Sequence, residues 1–345
     1  MNTPFVSGKS ASRIIHHRFG EPRNVLALED CSSQPPLEQG EIRVRMSRSM
    51  IHPGDLQLVA ARYSPSQDDI PGGRIPGSEG VGIIEEAAPG SLDGKNISVG
   101  TRVAFLADSA WQSSVILPAD ALVAVPDDIT DDIATQMLVN TITARHVLRS
   151  AVRTLGRKPS RIVLTAAASA VGKLITALAR QDGISLIRLV RSSESAARLA
   201  ELLPGDDIIS TSAVRWQDAV RHTASNDIPI IIDGVGGSMI AESGRLLNTA
   251  GALVSFGLLD GGPADLTMFL PKALTLRGAT IGTWQDDTTA DERSQDIAAA
   301  IEIARSVPEV FSGASIFSLS DFRRAIDAVS APAKQGNVLL SFSSI

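Results

Sequence analysis

The sequence predicts an α/β protein in which a doubly wound parallel sheet is joined to a smaller, closed β-domain. In the second half of the chain six β-rich runs, at 161–166, 185–191, 207–210, 229–233, 252–256 and 275–281, are separated for the most part by helical stretches. Strands in βαβ order imply a parallel sheet covered by helices. From residue 11 to about residue 126 the pattern changes to short β-runs between Gly, Pro and Asp clusters, at 41–46, 81–84, 102–105 and 114–117. That spacing suits a small β-domain that closes on itself. At 345 residues the chain is long enough for two domains, since about 150 residues per domain is the usual expectation.

Taken in order, the strand-like run at 12–19 opens the β-domain. Thr130 opens a helix with Asp131 and Asp132 in its first turn, where acids complement the helix dipole, and helical periodicity continues to Leu148. The organising stretch follows: Arg161-Ile-Val-Leu-Thr165 breaks into the small residues Ala166-Ala-Ala-Ser-Ala-Val-Gly172 and continues at helical period over 173–180. This reads as strand, tight turn and helix. A helix starting directly off a buried strand presents free N–H groups and a positive dipole end, and small side chains let a pyrophosphate approach. Ala167, Ser169 and Gly172 stand near the three positions of the G-x-G-x-x-G fingerprint, with Ala168, Ala170 and Val171 completing the turn. The alternative is a small-residue turn without a ligand.

The next strand ends about twenty residues beyond Gly172, where this fold reads the adenosine ribose. An NAD site wants an acid there, but the chain has Arg191-Ser192-Ser193, with Arg188 shortly before. A guanidinium beside two hydroxyls suits a 2′-phosphate, so the cofactor expected is NADPH. The alternative is a solvated arginine at a strand end. Helices are further expected at 294–306 and 322–329, and a closing strand at 337–342.

Composition narrows the partners. A net charge of −6, no basic stripe and 4% aromatic residues argue against nucleic acid. The single cysteine, Cys31, excludes an internal disulfide framework and a multi-cysteine zinc site, and fits a reducing compartment. No apolar run approaches the ~18 residues of a membrane span, and the strand-like run at 12–19 starts too early for an ordinary removable presequence. A cytoplasmic protein acting on small molecules is expected, without membrane partners.

Ile51-His-Pro-Gly-Asp55, Arg62-Tyr63, Ile75-Pro-Gly-Ser-Glu-Gly-Val-Gly82, Val139-Asn140, the turn through Gly172, Asp233-Gly-Val-Gly236, Ser255-Phe-Gly257 and Leu276-Arg-Gly278 together resemble the zinc-free branch of the medium-chain dehydrogenases/reductases. That branch includes quinone reductases and 2-enoyl thioester reductases, and the resemblance spans about residues 13–342. Val190-Arg191, the 251–259 segment and Leu276-Arg-Gly278 with Trp284 are more similar to the enoyl thioester reductases. The resemblance implies a GroES-like β-barrel catalytic domain over 1–127, a Rossmann domain over 128–281 and a C-terminal return over 282–345. It places Asn140, Phe256, Gly257, Leu258, Thr280 and Asn337 with the cofactor, and Trp284 and Asn140 with the substrate. For Asn140 the alternative is a polar residue on a helix surface. A homodimer through the last sheet strand, 275–281, is implied as well, because an apolar edge strand invites pairing.

The chain also departs from its relatives. Where zinc-dependent members carry a His-Glu pair it has Ser78-Glu79, and the cysteine they need near His52 is absent, so no tetrahedral catalytic zinc is expected. His52 reads as a hydrogen-bonded loop residue, the alternative being a metal ligand. Ala279-Thr280 stands where enoyl thioester reductases have an aromatic pair, and their C-terminal lysine aligns with Asn337, leaving Lys334 as a substitute. The resemblance makes Tyr63, the only tyrosine, the acid of a metal-free conjugate reduction: a phenol neutral at pH 7 can donate a hydrogen bond and yield a proton. The alternative is that Tyr63 only lines the pocket. The expected activity is reduction of a 2-enoyl thioester or enone, with quinone reduction as the alternative and NADPH binding without turnover as a third.

Overall fold

The computed structural model describes residues 11–31, 34–62, 69–331, 334 and 336–342, and the statements below concern these residues. They form two compact units, one within 1–138 and 313–345, the other within 139–312.

The first unit begins with β1 (Ala11–Arg18), α1 (Pro22–Val25), β2 (Ala27–Cys31), β3 (Glu41–Met50), α2 (Pro53–Val59), β4 (Asp69–Arg74), β5 (Glu79–Ala87), β6 (Arg102–Leu106), β7 (Ser114–Pro118) and β8 (Leu122–Ala124). The chain passes to the second unit within α3 (Asp131–Leu155). The second unit then runs β9 (Arg161–Leu164), α4 (Ala170–Gln181), β10 (Ser185–Val190), α5 (Ser193–Leu202), β11 (Asp207–Ser210), α6 (Trp216–Thr223), β12 (Ile230–Asp233), α7 (Ser238–Leu246), β13 (Ala252–Ser255), β14 (Thr275–Gly278), α8 (Ile281–Asp287) and α9 (Ala290–Ser306). Back in the first unit come β15 (Ser315–Ser318), α10 (Phe322–Ser330) and β16 (Val338–Ser341).

The second unit's sheet has the order β11-β10-β9-β12-β13-β14, and every neighbouring pair is parallel. This is the doubly wound arrangement, whose chain direction switches between β9 and β12. Strands covered on both faces read as unbroken apolar runs, and Ile230, Ile231, Ile232 and Asp233 are all buried. The core between sheet and helices includes Val163, Ile187, Trp216, Val220, Ile231 and Leu253. The expected last strand is shorter than its sequence run: β14 ends at Gly278, and Thr280 caps α8 by exchanging hydrogen bonds with Thr283. A threonine three residues ahead of a threonine at a helix start competes successfully with strand continuation.

In the first unit the larger sheet runs β15-β16-β3-β5-β6-β8, with β7 also on β3, and the smaller runs β2-β1-β4. The long β3 and β5 alternate inward and outward residues, and Ile42, Val44, Met46 and Ile84 join Phe105, Trp111, Phe322 and Leu340 in one core. α2 lays Leu56 and Val59 against that core. No helix among the described residues is long and apolar enough to cross a membrane.

Candidate active site

At the switch point of the second unit, the C-terminal end of β9 turns through Ala166, which takes a left-handed φ of 48°, into α4. Ser169 is the N-cap of α4, its hydroxyl accepting from the Gly172 amide at 3.0 Å. Glycine is required at 172, because a Cβ there would lie 2.5 Å from the Ala166 oxygen and 2.8 Å from that of Ala167. Ala167 is buried, Ala168 exposed, and Ser169, Ala170 and Val171 half-buried. The first-turn amides of a helix lack intrahelical acceptors, so this turn offers donors, a dipole end and little side-chain bulk to an anion. Lys173, which sequence reasoning passed over, sits in the next turn; its pKa is pushed down by burial, and it has no ion pair or side-chain hydrogen bond among the described residues. Its signal was a lysine directly after the third fingerprint position.

The neighbouring strand ends are locked to this turn. Asp233, fully buried, accepts from Thr165 Oγ1 at 2.6 Å, the Val235 amide at 3.1 Å and the Gly236 amide at 2.8 Å. Burial pushes its carboxyl pKa up against those hydrogen bonds. The Phe256 amide donates to the Asp233 oxygen at 2.9 Å, and a Cβ on Gly257 would lie 2.6 Å from the Gly234 oxygen. Phe256 and Gly257 are half-buried beside these ends, and Leu258 is exposed.

The arginines past β10 separate. Arg191 is exposed and makes no ion pair or hydrogen bond among the described residues, Ser192 caps α5 by accepting from the Ser195 amide at 3.2 Å, and Ser193 is exposed at the start of α5. Arg188 departs from the expectation of a cofactor contact. It is fully buried, and its guanidinium donates to the backbone oxygens of Leu203 (2.8 Å), Gly205 and Asp206 (3.2 Å). Arg188 lies inside β10, whereas Arg191 is the first residue past its end and is free of the sheet's register.

Trp284 also has an internal partner. It is buried, and its indole N–H donates to Asp296 at 2.8 Å. Asp296 additionally accepts from Arg145 at 2.6 Å and Arg149 at 2.7 Å, which hold its carboxyl below the usual range although burial opposes them. Asn140 is buried within the 25-residue α3. Thr280 is the cap of α8.

In the first unit Asn337 donates its amide to Gln136 at 2.6 Å. Tyr63 lies outside the described residues. Eleven residues before it, His52 Nε2 meets Glu79 Oε1 at 2.7 Å, both side chains buried. Asp55, also buried, accepts from the His52 amide at 2.9 Å and from the Ser78 hydroxyl. Burial works to keep His52 neutral, but the hydrogen bond and charge of Glu79 and the charge of Asp55 outweigh it and raise its pKa, against Lys334. Burial raises the Asp55 pKa. This donor set does not suit a tetrahedral zinc ion: it holds no thiolate, the imidazole nitrogen is engaged by Glu79, and serine stands at 78.

A family model of the alcohol dehydrogenase GroES-like domain matches residues 38–127, and one of the zinc-binding dehydrogenases matches residues 170–297. The mitochondrial enoyl-(acyl-carrier-protein) reductase of Xenopus tropicalis is 26% identical over 95% of this chain and 94% of its own. The enzyme of that name from Dictyostelium discoideum is 24% identical over 83% and 82%. Among solved structures, a candidate NADPH:quinone reductase of Bacillus thuringiensis is 27% identical, with a TM-score of 0.83 over 97% of this chain and 100% of that one. A mycobacterial protein, Rv1454c, solved with NADPH, is 26% identical, with a TM-score of 0.80 over 96% and 100%. The switch-point turn and parallel sheet define a dinucleotide-binding class of protein. The chain belongs to the medium-chain dehydrogenase/reductase superfamily, within its enoyl reductase and quinone reductase branch.

Proposed function

We propose that this protein reduces the activated C=C bond of a 2-enoyl thioester, with NADPH as cofactor and Tyr63 as proton donor. It is an NADPH-dependent oxidoreductase. The observation that carries the cofactor reading is the phosphate turn closed by Gly172, followed one strand later by the exposed, unpaired Arg191 where an acid would serve NAD. The residues from Ala168 to Gly172 would hold the pyrophosphate, and Arg191 with Ser193 the 2′-phosphate. The substrate class is supported by the relatives named enoyl-(acyl-carrier-protein) reductase along most of the chain.

NADPH, when bound, supplies a hydride to the β-carbon. The chain must then hold the thioester oxygen as it gains charge and deliver a proton to the α-carbon. The Tyr63 phenol, neutral at pH 7, serves both needs. Asn140 contacts the nicotinamide or the substrate amide. A second reading, NADPH:quinone reduction, is favoured by the names of the solved relatives; it needs no phenol, because a hydroquinone anion takes its proton from water. We also propose a homodimer through β14, whose Thr275, Leu276 and Gly278 are exposed at the sheet edge. Light scattering showing only monomer at micromolar concentration would count against the dimer. The cytoplasmic reading rests on the lone cysteine, and fractionation tests it.

The test sets NADPH oxidation with a 2-enoyl thioester, an enone and a quinone side by side, in wild type and Tyr63→Phe. Removing one preorganised donor costs about 2.7–4 kcal/mol, so thioester kcat falls roughly 100- to 1,000-fold while quinone turnover barely moves. Undetectable thioester turnover with robust quinone reduction replaces the first reading with the second.

A further inference from the structure

Lys173 is half-buried, charged and unpartnered. It is the fourth residue of α4, still close to the positive end of the helix dipole, which disfavours a cation. Leu174, Ile175, Leu178 and Ala179 are buried where α4 packs on β10, so they form the row that faces the sheet. With about 3.6 residues per turn, position 173 falls on the other side of the helix from that row. The half-buried Lys272 shows what such a group ordinarily receives in this fold: its ammonium donates to the backbone oxygens of Gly244, Arg245 and Leu247 at 2.7 to 3.1 Å. Lys173 has no ion pair or side-chain hydrogen bond among the described residues, and burial is the only cause of its lowered pKa.

An ammonium taken partly out of water with nothing in return costs stability, and an anion would complete it. The adjoining turn lacks a charge of the opposite kind. Ala168, Ala170, Val171 and Gly172 offer an anion only backbone, and Ser169 is neutral. A dinucleotide's pyrophosphate carries a negative charge on each phosphate, which amides and a dipole end neutralise only in part. Side chains on a helix lean toward its N-terminus, which brings the flexible stem of Lys173 back toward this turn. We propose that Lys173 is a cofactor-binding residue whose ammonium neutralises the pyrophosphate held at the turn over 168–172, the part of the dinucleotide that NADPH and NADH share. The proposal rests on that turn being the pyrophosphate seat. Two cations then divide the cofactor: Lys173 contributes affinity for either dinucleotide, and Arg191 the choice of the 2′-phosphate.

Calorimetric titrations of wild type, Lys173→Met, Lys173→Arg and Gly172→Val with NADPH, NADH, ADP and 2′-AMP test it. ADP carries the diphosphate without a 2′-phosphate, and 2′-AMP the reverse. Lys173→Met keeps an apolar stem and deletes the charge. It should weaken NADPH, NADH and ADP alike by about tenfold or more, the weight of a charge-assisted contact, and leave 2′-AMP within about twofold. It should also make NADPH affinity less dependent on salt, while the melting temperature of the cofactor-free protein holds or rises. Lys173→Arg should recover most of the lost affinity. A loss confined to NADPH and 2′-AMP would move Lys173 to the 2′-phosphate and overturn the assignment. An equal loss with all four ligands would reduce Lys173 to a structural residue. Unchanged affinities in Lys173→Met, with NADPH, NADH and ADP weakened in Gly172→Val, would overturn the role of Lys173 and leave the turn in place. Unchanged affinities in both variants would overturn the turn itself and, with it, this proposal.

Discussion

The turn closed by Gly172 in the second unit and the His52–Glu79 cluster in the first are built by opposite means. Around Gly172 the geometry comes from backbone and from missing side chains: a Cβ has no room, and the capping serine satisfies one amide. Around His52 it comes from side chains, with two carboxylates, an imidazole and a hydroxyl taken out of water and each given a partner. Bulk should therefore damage the first region, and loss of a single polar atom the second.

Gly172→Val sharpens this contrast most. Its side chain meets two fixed backbone oxygens, so the turn must shift: about 1–3 kcal/mol of stability is lost to overpacking, and NADPH affinity, read by fluorescence titration, should fall about tenfold or more. Arg191→Ala comes next. Losing a charge-assisted contact of about 1.5–3 kcal/mol weakens NADPH about tenfold or more and leaves NADH unchanged, and equal affinities for the two cofactors in wild type would break the 2′-phosphate reading. Trp284→Phe removes one of the donors on buried Asp296 and should cost about 1–3 kcal/mol of stability with cofactor affinity intact. A raised KM without loss of stability would instead return Trp284 to the substrate wall.

A pH series probes the His52 cluster alone. The raised His52 pKa means that the folded state holds its proton more tightly than the unfolded chain. Its stabilisation is complete below the unfolded value and is lost as pH rises through the folded one. His16 and His146, whose pKa values burial lowers, act in the opposite sense, so the informative quantity is the stability of wild type minus that of His52→Gln. That difference should shrink as pH rises from 6 to 9 in urea melts; a difference growing with pH would reverse the assignment. The smallest effect is expected at Ala61→Gly, which relieves the left-handed alanine and should stabilise by about 0.5–1 kcal/mol.

The parallel sheet and its turn were legible because both write periodic signals: apolar runs of strand length, then small residues, then a helical period. The end of β14 was not, because the choice between one more strand residue and the Thr280 cap is decided by a single local hydrogen-bonding option. Arg188 was misplaced because its partners are backbone oxygens 15 to 18 residues further on, which leave no local trace. The partners of His52 and Trp284 lie 27 and 12 residues away, and a side-chain pair across such a separation leaves no periodic trace. Lys173 was legible only as the lysine directly after the third fingerprint position.

Arg188 has one more consequence. β11, only four residues long, is the outer strand of its sheet, and strands of that kind ordinarily open and close on their own. Here the loop leading into it is held by three hydrogen bonds from a guanidinium rooted in the adjacent strand, and Arg180 adds two more, to the Asp206 carboxylate at 2.8 Å and the Leu203 oxygen at 3.3 Å. Local opening must break that clamp, so the β11 amides that bond to β10 should exchange with deuterated solvent at rates close to those of the sheet interior rather than those of a fraying margin.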